Sequence, residues 1–178
     1  RQNKDAATFG VLNFDATSLP FPDATFDVVL ANHMLYHIAA LPGALSEIRR
    51  VLKPDGLLVA GTNSEDNMPE LDTLARRAFA LLGYPRPVPK AAAGFSLEHG
   101  PAMLGHYFRA VARYDLPGAF HFPEVDPVLE YINSMRTVRE PQLPTDVTWA
   151  DFISMMEKQI SRLIRHFGEL RVRKLSGV

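Results

Sequence analysis

The 178-residue chain contains no cysteine. This absence excludes a disulfide framework, a thiol nucleophile and a zinc–thiolate site. It suits a reducing compartment, and we therefore expect a cytoplasmic protein. The sequence also lacks any apolar stretch that approaches the roughly 20 residues of a membrane-spanning helix, so we expect no membrane partner.

An excess of charge of either sign is missing as well. The formal net charge is −1, so the sequence offers no basic surface of the kind that binds nucleic acid or an anionic membrane. Hydrophobic residues make up 47% of the chain, which is enough for one domain with a sizeable core. These properties leave small-molecule enzymes and binding proteins as the main classes.

Three short apolar runs in the first third of the chain predict β-strands: residues 9–14 (FGVLNF), 26–31 (FDVVLA) and 57–61 (LLVAG). The intervening LPFPD cannot be helical, because each proline biases its predecessor toward extended geometry. Residues 41–53 have leucine and isoleucine at helical spacing and predict an amphipathic helix, which Pro-Asp-Gly then ends. Strand, helix and strand in this order predict a parallel α/β unit.

The helix over residues 41–53 has a polar face opposite its apolar stripe. Glu47, Arg49, Arg50 and Lys53 lie on this face, which we interpret as the face away from the core.

The second half of the chain is predicted to be mainly helical. Its expected elements are a helix from Pro69 to Gly83, a loop over residues 84–94, a short helix capped by Ser96, a strand over 108–116, a helix beginning at Asp126-Pro127, a long helix from Thr148 to Gly168 and a last strand over 170–178. The long helix has an apolar stripe from Trp149 to Phe167, which packs in the core or lines a substrate pocket.

Two segments together carry a recognisable pattern: DATSLPFPDATFDVVLANHMLYHI, from Asp15 to Ile38, and ALSEIRRVLKPDGLLVAGT, from Ala44 to Thr62. They resemble class I S-adenosylmethionine-dependent methyltransferases of the small-molecule type, such as those of ubiquinone and menaquinone biosynthesis. Asp55 stands where that family usually has glycine. The resemblance implies a Rossmann-like α/β sheet with helices on both faces and a helical insertion over the active site.

The resemblance also implies roles for matching positions. Asp15 would accept a hydrogen bond from the adenine amino group of S-adenosylmethionine, and the backbone N–H of Ala16 would meet an adenine ring nitrogen. Asn32, with His33 beside it, would contact the methionine part of the cofactor at the end of its strand. From the residues alone, Asp15 could instead cap a turn, and Asn32 could simply end a strand.

The sequence does not contain the glycine-rich G-x-G loop of that family: no two of its 11 glycines are separated by a single residue. We therefore expect the chain to be the carboxyl-terminal part of a methyltransferase domain whose first two strands are absent. Within that single domain, residues 1–62 would retain part of the cofactor site, 63–148 would form the helical lid and substrate region, and 149–178 would form the final helix and strand.

A polar cluster follows the second predicted strand. His33 or His37 could act as a general base, and Tyr36 or His37 could bind substrate; alternatively, these side chains pack around the cofactor. His33 and His37 stand four residues apart and could share a helix face. We nevertheless expect no metal, because Met34 occupies the position where a zinc metalloprotease helix has glutamate.

The sequence thus favours an enzyme that transfers a methyl group from S-adenosylmethionine to O, N or C of a small molecule, as a monomer or homodimer. The sulfonium is already activated, so alignment of the reactants supplies much of the acceleration. A catalytically silent methyltransferase-fold protein that binds a partner is the alternative from another class. A nicotinamide-dependent dehydrogenase is a more distant one.

Overall fold

The computed structural model describes residues 10–84 and 94–178, which form a mixed sheet with helices packed against it. The strands are β1 (Phe26–Asn32), β2 (Leu52–Asn63), β3 (Asp115–Phe122) and β4 (Leu170–Gly177), in the spatial order β1-β2-β4-β3. The α-helices are α1 (Leu41–Val51), α2 (Pro69–Leu81), α3 (Gly100–Leu104), α4 (Asp126–Ser134), α5 (Arg136–Arg139) and α6 (Trp149–Phe167). Short 3₁₀-helices cover Leu35–His37 and Glu140–Gln142.

The predicted strand–helix–strand unit is present. β1 and β2 pair in parallel, with α1 as the crossover between them. The helix ends two residues earlier than expected, and β2 begins directly at Leu52. The register moves from Phe26–Leu52 to Val28–Leu57, so the expected Pro-Asp-Gly turn is accommodated as a bulge inside β2.

The strand predicted over residues 9–14 is wrong where the structure describes it. Phe9 lies outside the described residues, and positions 10–14 have no regular structure. Val11 is 97% exposed and Leu12 is 64% exposed. An apolar run becomes a strand only where a neighbour satisfies its backbone groups, and no described strand pairs with this one.

The strand predicted over residues 108–116 is also misplaced, because β3 begins at Asp115 and continues through Pro117 and Gly118. Proline and glycine argue against a central strand, which is why the sequence favoured the earlier segment. β3 is the edge strand of the order β1-β2-β4-β3 and pairs only with β4 among the described strands. An edge strand tolerates proline because one side of its ladder needs no N–H donor.

The larger core lies between α2, α4, α6 and β4. Trp149, Phe152, Met156 and Ile160 of α6 are buried in it, so most of the α6 stripe is core, whereas Phe167 is exposed. The predicted cap is confirmed: Thr148 and Asp151 form a capping box at the start of α6. Gly168 ends the helix at φ +84°, a backbone conformation that suits glycine.

A second core lies beside β1 and α1, with Leu35 and Phe95 at its centre. The sheet joins the two cores where β2 pairs with β4 in register at two residue pairs, Thr62–Gly177 and Asn63–Ser176. Within the described part of the chain, no helix has both the length and the apolar character needed to cross a bilayer. The predicted loop over residues 84–94 lies almost wholly outside the described residues.

Candidate functional site

The carboxyl ends of the parallel strands β1 and β2 meet at one edge of the sheet, where open α/β folds bind their ligands. Asn32 ends β1 opposite Gly61, and the His33 N–H donates to the Gly61 carbonyl at 2.8 Å. A Cβ at position 61 would lie 3.4 Å from Asn32 Oδ1, so the absence of a side chain at Gly61 leaves room for the Asn32 amide. His33 has φ +51°, which turns the chain sharply after the strand. The side chains of Asn32 and His33 are both exposed at this edge.

Asp15 caps a tight turn, which the sequence analysis gave as the alternative to its binding adenine. Its Oδ1 accepts hydrogen bonds from Thr17 N and Thr17 Oγ1, each at 2.8 Å. The backbone hydrogen bond from Thr17, followed by the one from its hydroxyl, lowers the pKa of the Asp15 carboxyl below its ordinary value. Asp15 is exposed and Ala16 is half-buried, so the charged carboxylate faces solvent rather than the core.

The loop that follows Asp15 is held by α1. Arg50 donates to the carbonyls of Leu19 at 3.0 Å and Phe21 at 2.8 Å, and Glu47 accepts the Leu19 N–H at 2.8 Å. Glu47 and Arg50 also bond to each other, and the Arg50 hydrogen bond is the main cause that lowers the pKa of Glu47 to about 2. Both side chains lie on the polar face predicted for α1, and this face binds the loop.

A cavity of about 260 Å³ lies at the same edge of the sheet, between the two cores. Tyr36 and His37, after β1, line one wall. Another wall is lined by the end of β2 and the residues after it: Asn63, Ser64, Glu65 and Asn67. Leu71 and Asp72 of α2, together with residues of α4, α5 and α6, complete it. Tyr131 and Ile132 of α4, Arg139 of α5, and Met135 between the two helices belong to this wall; the assignment of residues 63–148 to a lid and substrate region stays a prediction.

The structure separates the predicted polar cluster into two parts: Tyr36 and His37 line the cavity, and His33 does not. Tyr36 and His37 line the cavity with ring centroids 4.4 Å apart, and burial raises the pKa of Tyr36. The His33 ring is 6.4 Å from that of Tyr36 and lies in the left-handed turn before the 3₁₀-helix Leu35–His37. His33 and His37 therefore do not share a helix face. Among the described residues no group of three or more potential ligands could hold a metal ion.

Sequence reasoning did not single out Tyr131 or Arg139 as cavity residues. The Tyr131 hydroxyl donates to Met68 Sδ at 3.2 Å. Burial raises the pKa of Tyr131, while the charge of Arg139 lowers it and that of Asp72 raises it. Ile132 and Met135 stand three residues apart, at helical spacing on one face, and Tyr131 lies one turn before Met135. This helix face could have indicated that Tyr131 lies near the cavity, but the sequence did not show which element the face packs against.

Glu98 supports the end of β2 from behind the cavity wall. Its carboxylate accepts hydrogen bonds from Ser64 Oγ at 2.6 Å and Glu65 N at 3.0 Å. Desolvation acts to raise the pKa of Glu98, but these hydrogen bonds outweigh it and lower the pKa to about 2.

Residues 1–60 match a family model, Methyltransf_11, described as a methyltransferase domain. The mitochondrial arginine-hydroxylase NDUFAF5 of Rattus norvegicus is 42% identical over 67 residues, which are 38% of this chain and 19% of that protein. A malonyl-[acyl-carrier protein] O-methyltransferase of Erwinia pyrifoliae is 32% identical over 120 residues, 67% of this chain and 42% of that protein. The chain therefore spans less than half the length of both relatives.

The fold has a counterpart among solved structures. A crystal structure from Bacillus halodurans, described as that of a proposed methyltransferase, superposes with a TM-score of 0.53 and 17% identity, over 92% of this chain and 72% of that one. At this identity the likeness concerns the fold alone. It confirms the Rossmann-like α/β class expected from the sequence.

Proposed function

We propose that the protein is a class I S-adenosylmethionine-dependent methyltransferase and that it methylates a small molecule, a proposal supported by the methyltransferase-domain match over residues 1–60. The methyl acceptor would bind in the cavity at the carboxyl ends of β1 and β2. The observation that carries the proposal is the position of this cavity, which adjoins the strand end where Asn32 lies.

The residues assigned to the cofactor have chemistry that suits S-adenosylmethionine. Asp15 has a lowered pKa, so at neutral pH it is a carboxylate that can accept a hydrogen bond from the adenine amino group. The N–H of Ala16 would donate to the adenine ring, and Asn32 and His33 would contact the methionine part. Gly61 leaves the Asn32 amide free of a neighbouring side chain.

When bound, the cofactor would supply an activated methyl group on its sulfonium. The chain's own residues then position the acceptor: Ile132, Phe152 and Met156 give the cavity an apolar floor, and Tyr36 offers a phenol. His37 lies in the same wall and would take the proton of a hydroxyl or amine acceptor on a ring nitrogen. His33 does not line this cavity, so we assign it to the cofactor side.

A second candidate is favoured by one observation, the match to an arginine-hydroxylase over 67 residues. Hydroxylation would insert one oxygen atom of O2 into a C–H bond, with two electrons from an added reductant reducing the other to water, whereas methylation transfers a methyl group and releases a proton. A silent methyltransferase-fold protein would bind the cofactor and give neither product.

One experiment separates these candidates. The full-length natural protein is titrated with S-adenosylmethionine in a calorimeter and then incubated with the methyl-labelled cofactor and a small-molecule extract, with mass spectrometry of the products. A labelled methylated small molecule supports the proposal. Absence of cofactor binding contradicts it, an oxygenated product favours the hydroxylase, and binding without product favours the silent protein.

A further inference from the structure

The short helix α5 carries two arginines in different surroundings. The Arg136 guanidinium donates to both carboxylate oxygens of Glu140, at 2.8 and 2.9 Å. Arg139 instead lines the cavity at the carboxyl edge of the sheet. Within residues 10–84 and 94–178, no hydrogen bond or ion pair is made by its guanidinium.

Two carboxylates also line this cavity, but neither is free to pair with a ligand cation. Glu65 bonds with His99 Nε2 at 3.1 Å, and Asp72 has interactions of its own in the molecule. A half-buried guanidinium in a cavity wall that has no hydrogen-bond or ion-pair partner among the described residues is available to an anionic ligand, with which it can form charge-assisted hydrogen bonds.

The other walls define the rest of the ligand. Phe152, Met156 and Ile132 present apolar surface, while Tyr36 presents a phenol that burial keeps protonated and able to donate. The Tyr131 hydroxyl already donates to Met68, so it is less available. A ligand that suits these walls has an apolar body and one anionic end with several acceptor oxygens.

We propose that this cavity takes small organic acids and that Arg139 binds the substrate carboxylate in a two-point contact. The proposal rests on the proposed function, since it names the substrate class of the same site. The planar guanidinium fits a carboxylate through two parallel N–H donors, which an amide or amine cannot accept in the same way. The apolar floor accommodates the remainder of the acid.

The test uses the full-length natural protein and two matched series of probes: phenylacetate, phenylacetamide and phenethylamine, and hexanoate, hexanamide and hexylamine. Dissociation constants are measured by ligand-observed NMR. We expect each acid to bind about ten- to a hundredfold more tightly than its amide, as the loss of one charge-assisted contact implies. We expect Arg139→Gln to abolish this preference.

Arg136→Gln is the matched control, because it removes the same charge from the same helix but from a side chain already paired with Glu140. It should leave the acid preference intact. Arg139→Lys, which keeps the charge but loses the planar fork, should retain part of it and provides a second variant if the glutamine variant is poorly folded.

Titration with S-adenosylhomocysteine in each variant separates this inference from the proposed function. Unchanged cofactor affinity with a lost acid preference supports both. A protein that never binds the cofactor, yet prefers acids through Arg139, contradicts only the methyltransferase proposal. Amides or amines that bind as tightly as acids, an acid preference that survives in Arg139→Gln, or no detectable binding of either acid would each overturn the inference.

Discussion

Replacing Asp15 separates its two interpretations, because one variant preserves the turn and the other does not. Asp15→Asn keeps an Oδ1 that can accept from Thr17 N and Thr17 Oγ1, now 2.8 Å away in both cases, but it removes the charge. Asp15→Ala removes both the turn acceptor and the charge. If Asp15 binds the adenine amino group, both variants lose a charge-assisted hydrogen bond.

We expect Asp15→Ala to weaken S-adenosylmethionine binding by about ten- to a hundredfold, the range of one hydrogen bond to a charged group. Asp15→Asn should lie near the lower end, because a neutral acceptor makes a bond roughly half as strong. The assay is calorimetric titration of the full-length protein at neutral pH. There Asp15 is ionised, since its pKa lies below the ordinary 3.8.

Asp55→Asn is the control for the loss of one negative charge, since Asp55 is exposed in the bulge of β2 and should not affect the cofactor. Unchanged affinity in Asp15→Ala would refute the adenine assignment. If that variant lost thermal stability alone, Asp15 would act as a turn cap and nothing more.

Three further predictions concern the residues that support the site. Arg50→Gln should weaken cofactor binding several-fold in calorimetry without contacting the cofactor, because it frees the loop after Asp15; equal affinity would contradict this. Gln159→Met should change the free energy of unfolding in urea by less than about 1 kcal/mol, since it removes the buried Oε1 that has no partner among the described residues but also the Nε2 hydrogen bonds to the Leu74 and Met155 carbonyls; a loss of several kcal/mol would show that this oxygen is satisfied. Glu98 has its pKa lowered from 4.5 to about 2, so its stabilising contribution is present above pH 4.5 and is lost toward pH 2. For an exposed group this amounts to about 0.5 kcal/mol, and Glu98→Gln should lose correspondingly less stability over that interval, which acid titration of unfolding would measure.

The elements predicted well are those whose local pattern and packing agree. β1 is apolar and β-branched, and α6 combines a capping residue, an apolar stripe and a terminal glycine, so each could be located from its own residues. β3 could not, because the position of a strand with Pro117 and Gly118 depends on its being at the edge of the sheet. That property belongs to the whole sheet rather than to the segment.

In the candidate site, too, some residues could be predicted from their local sequence and others only from the packing of the whole chain. Asn32, Tyr36 and His37 could be singled out because they end or follow an apolar run that predicts a strand, where polar residues indicate a ligand; the strand itself is largely exposed, with only Ala31 buried. Arg139 could not, because it is separated from Tyr36 by most of the chain and only the packing of α4 and α5 brings it to the same cavity. The assignments of Asp15, Ala16, Asn32 and His33 to the cofactor stay predictions.

The cavity lies across the seam at which β2 and β4 share two residue pairs. Tyr36 approaches it from the core beside β1, and Phe152 from the core between the helices. A ligand that touches both walls therefore connects two packing units, and its binding free energy opposes their separation as well as the unfolding of either one. Ligand binding in the cavity and the rigidity of the sheet are therefore linked, because the contacts that would hold a substrate would also fix the angle between the two halves of the sheet.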